Sequence, residues 1–214
     1  MLKGTPIETG YYNFLQRYLV PGLVCLKIKP NHVSLLGLLA SFLAGIGFVF
    51  SPLMGGLLTL LTGLLDTLDG SLARALHQTK NFGAFLDSVL DRYTELIIFI
   101  GIWFYFYRQG ISTPFFSLTI LLILFGSLMV SYTRARAEGL GVRCLVGFFQ
   151  RGERIIIVGL AGMTNAWVNN MIGSAGQSHW AWDIVLLGAL LLLAVGTNLT
   201  ALWRFWHVLN TLRR

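Results

Sequence analysis

The chain has 214 residues, 55% of them hydrophobic and only 12% charged, with a mean hydropathy of +0.70 and a formal net charge of +7. An ordinary soluble domain carries about 25% charged residues, so this chain has too little polar surface to keep a particle of its size in water. The same balance excludes a disordered chain, a disulfide-stapled secreted module and a coiled coil, and leaves a polytopic membrane protein.

Residues 10–28 place Tyr11, Phe14, Leu15, Tyr18 and Leu19 at helical spacing, opposite Asn13, Gln16 and Arg17. That pattern predicts an N-terminal amphipathic helix lying on a membrane surface, broken or kinked at Pro21-Gly22. Further on, uncharged apolar stretches of about 18 residues or more mark spanning helices. Val33 to Phe50, Gln109 to Thr133, Ile155 to Trp182 and Ile184 to Trp203 qualify. Pro52 to Leu65 and Leu96 to Tyr107 reach that length only by absorbing the charged stretches 66–76 and 84–95. The expected fold is an all-α integral membrane protein, with the surface helix followed by six transmembrane helices at 33–50, 52–76, 84–107, 113–136, 153–173 and 181–208. No internal repeat or linker divides it, so one domain over 1–214 is expected, with no secretory signal.

The cations give an orientation. Lys3, Arg17, Lys27, Lys29, Arg74, Lys80, Arg92, Arg134, Arg136, Arg143, Arg151, Arg154, Arg204, Arg213 and Arg214 fall on the side of the two termini, and only Arg108 lies at an opposite turn. Cytoplasmic loops of membrane proteins are enriched in Lys and Arg, so both termini and the turns beside them are expected in the cytoplasm, with the protein in the cell (inner) membrane. Trp103 to Tyr107, Trp167, Trp180 and Trp182 read as the outer aromatic belt. Topology thereby explains the pI of about 9.8, and no nucleic acid is expected. Cys25 and Cys144 share the reducing side and lack metal-ligand spacing, which argues against a disulfide or a zinc site.

Six of the nine acids lie between 66 and 138: Asp66, Asp69, Asp87, Asp91, Glu95 and Glu138. A carboxylate inside a span costs roughly 2.5–3.5 kcal/mol on insertion scales, so such residues are functional candidates. Asp66 and Asp69 are three apart, with Gly70 and Ala73 on the same helical face; Asp87 and Asp91 are four apart, one turn beyond Gly83. Four aspartates on neighbouring faces repel unless cations sit among them, and Arg74 alone is insufficient. Oxygen-only ligands favour Mg²⁺, Mn²⁺ or Ca²⁺, and a cluster of this size can hold two ions and clamp phosphoryl oxygens. A structural ion-pair network, or the ion path of a transporter or scaffold, would leave the small residues unexplained. His32, His77, His179 and His207 form no ligand spacing.

Residues 66–91 read D-x-x-D-G-x-x-A-R-x8-G-x-x-x-D-x-x-x-D. This pattern resembles the signature of the CDP-alcohol phosphotransferase family, and all eight defining positions match. The resemblance implies transfer of a phosphatidyl-type group from a CDP-linked lipid such as CDP-diacylglycerol to an acceptor hydroxyl, with release of CMP. It further implies Mg²⁺ or Mn²⁺, as two ions, held by Asp66, Asp69 and Asp87 with some contact to Asp91. Asp91 would be the catalytic base. Asp66, Asp69, Gly70, Ala73, Arg74 and Gly83 would bind the CDP unit, and the protein would be a homodimer in the bilayer.

A second cluster comprises Arg134, Arg136, Arg151 and Arg154 across the fourth cytoplasmic turn, with Arg204 near the end of the last span. Positive-inside topology accounts for Arg143, Arg213 and Arg214. By contrast, Arg151 and Arg154 at a helix start oppose the macrodipole, and are better explained by a bound anion or by neighbouring glutamates. Guanidinium groups suit bidentate grip of a phosphate, which points to a phosphorylated polyol as acceptor. The R-A-R-A-E-G-L-G and R-G-E-R segments resemble the branch of the family that makes phosphatidylinositol phosphate or its archaeal-lipid counterpart. Inositol 1-phosphate is the expected acceptor; glycerol 3-phosphate is the main alternative, followed by unphosphorylated acceptors such as serine or free inositol.

Overall fold

The computed structural model describes residues 6–77, 81–111, 113–173 and 183–213. The N-terminal part consists of α1 (Pro6–Phe14), a π-helical turn (Leu15–Leu19) and α2 (Val20–Cys25). Six long helices follow: α3 (Pro30–Phe50), α4 (Pro52–Ala75), α5 (Asn81–Arg108), α6 (Pro114–Gly139), α7 (Arg151–Gly173) and α8 (Ile184–Leu212). Among the described residues there is no strand.

Local sequence explains where these helices begin and end. Pro30, Pro52 and Pro114 open α3, α4 and α6, where the missing proline N–H would have no helical partner anyway. Thr113 caps α6 by accepting a hydrogen bond from Phe116 N at 3.2 Å. Ser51, the sole residue between α3 and α4, is extended (φ −157°, ψ 128°) and reverses the chain. His77, beyond the end of α4, has φ 52°, a left-handed conformation that cannot continue the helix.

In place of the break or kink expected at Pro21-Gly22, the distortion is a π-helical turn just before it. Pro21 has no N–H to donate, and its ring would crowd the carbonyl four residues back, so the helix widens over Leu15–Leu19 before accepting it. The widened turn buries Leu15 with Val20, Val33, Leu68 and Leu72, which seats the N-terminal segment on α3 and α4. Its opposite side leaves Phe14 and Tyr18 exposed.

The long helices pack in the order α5–α3–α4–α7–α8–α6, and a sparser α6–α5 contact closes the ring. Small residues let neighbours approach: a Cβ at Gly101 would fall on the backbone of Gly45, and one at Gly56 would meet Gly159 O. The main core, with Phe48, Phe99, Phe106, Ile123, Leu190 and Leu193, fills the half of the bundle nearer Ser51. The other half, where α3, α5 and α7 begin and α4, α6 and α8 end, holds most of the charges.

Among the described residues, four helices (α3, α4, α6 and α8) are long and apolar enough to cross a membrane. Their outward faces remain apolar, with Leu39, Phe42, Leu121, Phe125, Leu192 and Leu199 exposed, as expected for lipid contact rather than water. α5 and α7 have spanning length at 28 and 23 residues, but polar side chains dilute them: Asp87, Asp91, Arg92 and Glu95 in α5, and Thr164, Asn165 and Asn169 in α7. Lys3, Lys80 and Arg214 of the orientation reading, Trp180 and Trp182 of the belt, and His179 lie outside the described residues.

Candidate active site

Four helices, α3, α4, α5 and α7, build the charged end. α4 brings Asp66 and Asp69 on one face, because residues three apart stack one turn above the other. α5 brings Asp87 and Asp91 by the same logic at a spacing of four. One carboxylate oxygen from each of Asp66, Asp69 and Asp87 lies within 4.8 Å of the other two. α3, wedged against both, supplies Ser34, whose hydroxyl donates to Asp69 Oδ2 at 2.6 Å.

Asp91 stands beside this triad in the same recess, which is also lined by Ser34, Thr62, Thr94 and Arg151. Arg151, at the start of α7, reaches between the two aspartate helices. Its Nη1 is 2.8 Å from Asp91 Oδ1 and forms a second ion pair with Asp66. The acidic ends of α4 and α5 can therefore approach each other because α7 inserts a cation between them.

Next to the recess a cavity of about 780 Å³ opens at the end of the bundle. Asp69 and Asp87 border it, together with Gly70, Ala73 and Arg74 of α4, Gly83 of α5, and Lys29, Asn31 and Ser34 around the start of α3. Gly70 and Gly83 differ from the packing glycines of the bundle. A Cβ at Gly70 would meet nothing closer than Arg74 Nη1 at 3.6 Å, and one at Gly83 nothing closer than Asn31 Oδ1 at 3.9 Å. Their small size leaves room on the cavity side rather than serving a helix contact.

The triad suits a hard divalent cation. Two oxygens bound to one such ion, each about 2.0–2.6 Å away, lie no more than about 4–5 Å apart, which is the spacing these carboxylates present. Among the described residues no sulfur or imidazole joins the group, so the donor set is one for Mg²⁺, Mn²⁺ or Ca²⁺ rather than zinc.

The five arginines expected in one phosphate-binding cluster are divided. Arg151 is drawn into the aspartates. Arg154, one turn further along α7 and 1% exposed, turns inward: its Nε donates to Glu95 Oε1 at 3.0 Å, its Nη2 contacts the same oxygen, and its Nη1 donates to Phe149 O at 2.8 Å. Arg204 of α8 donates to Val146 O at 2.8 Å and Val130 O at 2.5 Å, tying the extended 142–150 segment to α6 and α8. Arg134 pairs with Glu138 at 2.8 Å on the surface, and Arg136 is exposed beside it. The glutamate that satisfies Arg154 is thus Glu95 of α5, not its sequence neighbour Glu153.

Sequence reasoning missed Ser34, Lys29 and Asn31, and no pattern within α3 marks them as site residues. Glu95 was within reach: Asp87, Asp91 and Glu95 recur every four residues and form one acidic stripe on α5.

The model of the CDP-alcohol phosphatidyltransferase family matches residues 27–194. The chain is 42% identical over 149 residues to archaetidylinositol phosphate synthase of Methanothermobacter thermautotrophicus, covering 69% of this chain and 72% of that protein. Its fold is similar to the crystal structure of Mycobacterium tuberculosis phosphatidylinositol phosphate synthase with CDP-DAG bound, with a TM-score of 0.74, 29% sequence identity and coverage of 91% of this chain and 93% of that one. A second crystal structure of that enzyme, in complex with manganese and citrate, is similar at a TM-score of 0.70 and 29% identity, covering 90% and 88%. With more than half its length matched by the family model, the chain belongs to the CDP-alcohol phosphatidyltransferase family.

Proposed function

We propose that the protein transfers the phosphatidyl group of CDP-diacylglycerol, or of a related CDP-lipid, to the hydroxyl of inositol 1-phosphate and releases CMP. The observation that carries this reading is the acidic triad, of which Asp69 and Asp87 line a cavity whose other walls hold Gly70, Ala73, Arg74 and Gly83. Similarity to synthases of archaetidylinositol phosphate and phosphatidylinositol phosphate supports the choice of acceptor.

In this reading the CDP unit occupies the cavity, with its backbone-hugging part against Gly70 and Gly83 and its negative charge facing Arg74. Asp66, Asp69 and Asp87 would hold Mg²⁺ or Mn²⁺, as two ions with Asp91 adjoining, and the bound metal would supply charge neutralisation for the pyrophosphate and the departing CMP. Asp91 accepts the proton of the acceptor hydroxyl as its oxygen bonds to the phosphorus bearing the lipid, while the bond from that phosphorus to the bridging oxygen breaks. Arg151, Arg134 and Arg136 bind the acceptor phosphate. Arg154 and Arg204 hold α7 and the 142–150 segment in place through the contacts described above.

The same reading has α5 and α7 crossing the bilayer with α3, α4, α6 and α8, six spans in all. The N-terminal segment then lies on the cytoplasmic surface, with both termini and the site on that side, and the protein works as a homodimer. The direct test is CMP release from CDP-diacylglycerol with inositol 1-phosphate. We expect release that stops on chelation and returns with added Mg²⁺ or Mn²⁺; absence of CMP in the metal-replete mixture overturns the proposal.

A further inference from the structure

We infer that Tyr12, in the N-terminal segment, is a positioning residue for the CDP-lipid donor and acts by holding Arg74 against the cavity wall. The inference rests on the donor reading above. Tyr12 packs on the cluster of Leu15, Val20, Val33, Leu68 and Leu72, and its ring centroid lies 5.4 Å from the Arg74 guanidinium carbon. That distance is within cation–π range. On its other side Arg74 donates from Nη2 to Ser71 Oγ at 3.1 Å. Both partners are uncharged, so the guanidinium is held in place while its charge stays available to an anion in the cavity it lines.

The segment itself is fixed to α4 at several points. Tyr11 Oη lies 2.7 Å from Thr67 Oγ1, in the turn between Asp66 and Asp69. Thr67 Oγ1 also lies within hydrogen-bond distance of the carbonyls of Gly63 and Leu64. Burial of Leu15 adds an apolar anchor one turn on. Arg74 is otherwise an exposed, long side chain with many rotamers, and an ordered partner reduces what a ligand must immobilise. A role in placing Arg74 therefore moves donor affinity, whereas a role in folding alone does not distinguish donor from acceptor.

The test is steady-state kinetics of CMP release, with CDP-diacylglycerol and inositol 1-phosphate varied in turn. Tyr12→Phe and Tyr12→Trp keep an aromatic face and are expected to hold the donor KM within about twofold of the native value. Tyr12→Leu keeps the apolar packing but removes the π face, and is expected to raise the donor KM about 3- to 10-fold, the scale of one cation–π contact. The acceptor KM and kcat should stay within about twofold, since neither depends on Arg74 placement. In an Arg74→Gln background the same Tyr12→Leu change should add nothing. A native-like donor KM for Tyr12→Leu, an equal rise in the acceptor KM, or a penalty that persists without Arg74 overturns the inference. Should the leucine variant not fold, a donor KM raised in Tyr12→Phe or Tyr12→Trp does so as well. Failure of the wild type to release CMP is a separate outcome that defeats the donor reading itself.

Discussion

Arg151 Nη1 lies 2.8 Å from Asp91 Oδ1 and is also paired with Asp66, so one guanidinium from α7 joins an aspartate of α4 to an aspartate of α5. This relationship locks the position of the proposed base. It also sets a cation proposed for the acceptor phosphate against carboxylates proposed for the donor's metal ions.

Asp91→Asn keeps the size and most hydrogen-bonding capacity of the side chain but removes its ability to accept a proton. We expect kcat to fall by about 10²–10⁴-fold, the usual contribution of a general base, with the thermal unfolding midpoint nearly unchanged. Turnover at the native rate would show that the proton goes elsewhere.

Arg151→Gln removes the cation from among Asp66, Asp69, Asp87 and Asp91. Without metal, the variant should unfold at a lower temperature than the native protein, because the carboxylates then repel one another. Added Mn²⁺ should raise its unfolding temperature by more than it raises that of the wild type, since binding to the folded state stabilises it by mass action. Equal shifts in the two proteins would mean that Arg151 does not offset the acidic cluster.

Glu95 and Arg154 form a buried pair, and removing one partner leaves an uncompensated charge. Glu95→Gln is expected to destabilise the protein by about 3–5 kcal/mol in a detergent unfolding assay. Replacing both together, by Glu95→Leu and Arg154→Met, should recover most of that loss and leave the acceptor KM near the native value. An acceptor KM raised by about tenfold or more, the scale of a lost charge-assisted contact, would instead put Arg154 on the acceptor phosphate.

Two glycines separate packing from ligand space. Gly101→Ala drives a methyl into the Gly45 backbone and should cost about 1–3 kcal/mol of stability. Gly70→Ala meets no protein atom closer than 3.6 Å, so stability should hold while the donor KM rises. Comparing the two by thermal unfolding and donor kinetics checks the assignment. A destabilised Gly70→Ala with a native donor KM would reverse it.

The sequence carried the long helices wherever the demand for apolar surface was unopposed, as in α3, α6 and α8. In α5 that demand competes with Asp87, Asp91, Arg92 and Glu95, and only the assumption of a functional exception recovers the helix. The Asp66–Asp69–Asp87 cluster was legible because helical spacing fixes which side chains share a face, and α5 begins only a few residues after α4 ends. Ser34, Lys29 and Asn31 were not, since they join the site through packing of α3 on α4 and α5, which no local pattern encodes. The roles of Arg154 and Arg204 were hidden for a similar reason. Their partners, Glu95 and the carbonyls of Val130 and Val146, lie more than 50 residues away in the chain. At the N-terminus Pro21 announced a distortion, but which face Leu15 and Tyr12 would present to α4 depends on the widened turn before it.

The most direct test of the central claim is acceptor choice by the purified protein in CDP-diacylglycerol micelles with Mn²⁺, with CMP and the lipid product both quantified. Inositol 1-phosphate, glycerol 3-phosphate, free inositol and serine would be supplied in separate reactions. The account predicts CMP and phosphatidylinositol phosphate with inositol 1-phosphate, and neither CMP nor a new lipid with free inositol or serine. CMP release with only an unphosphorylated acceptor, or a product formed from glycerol 3-phosphate alone, would contradict it.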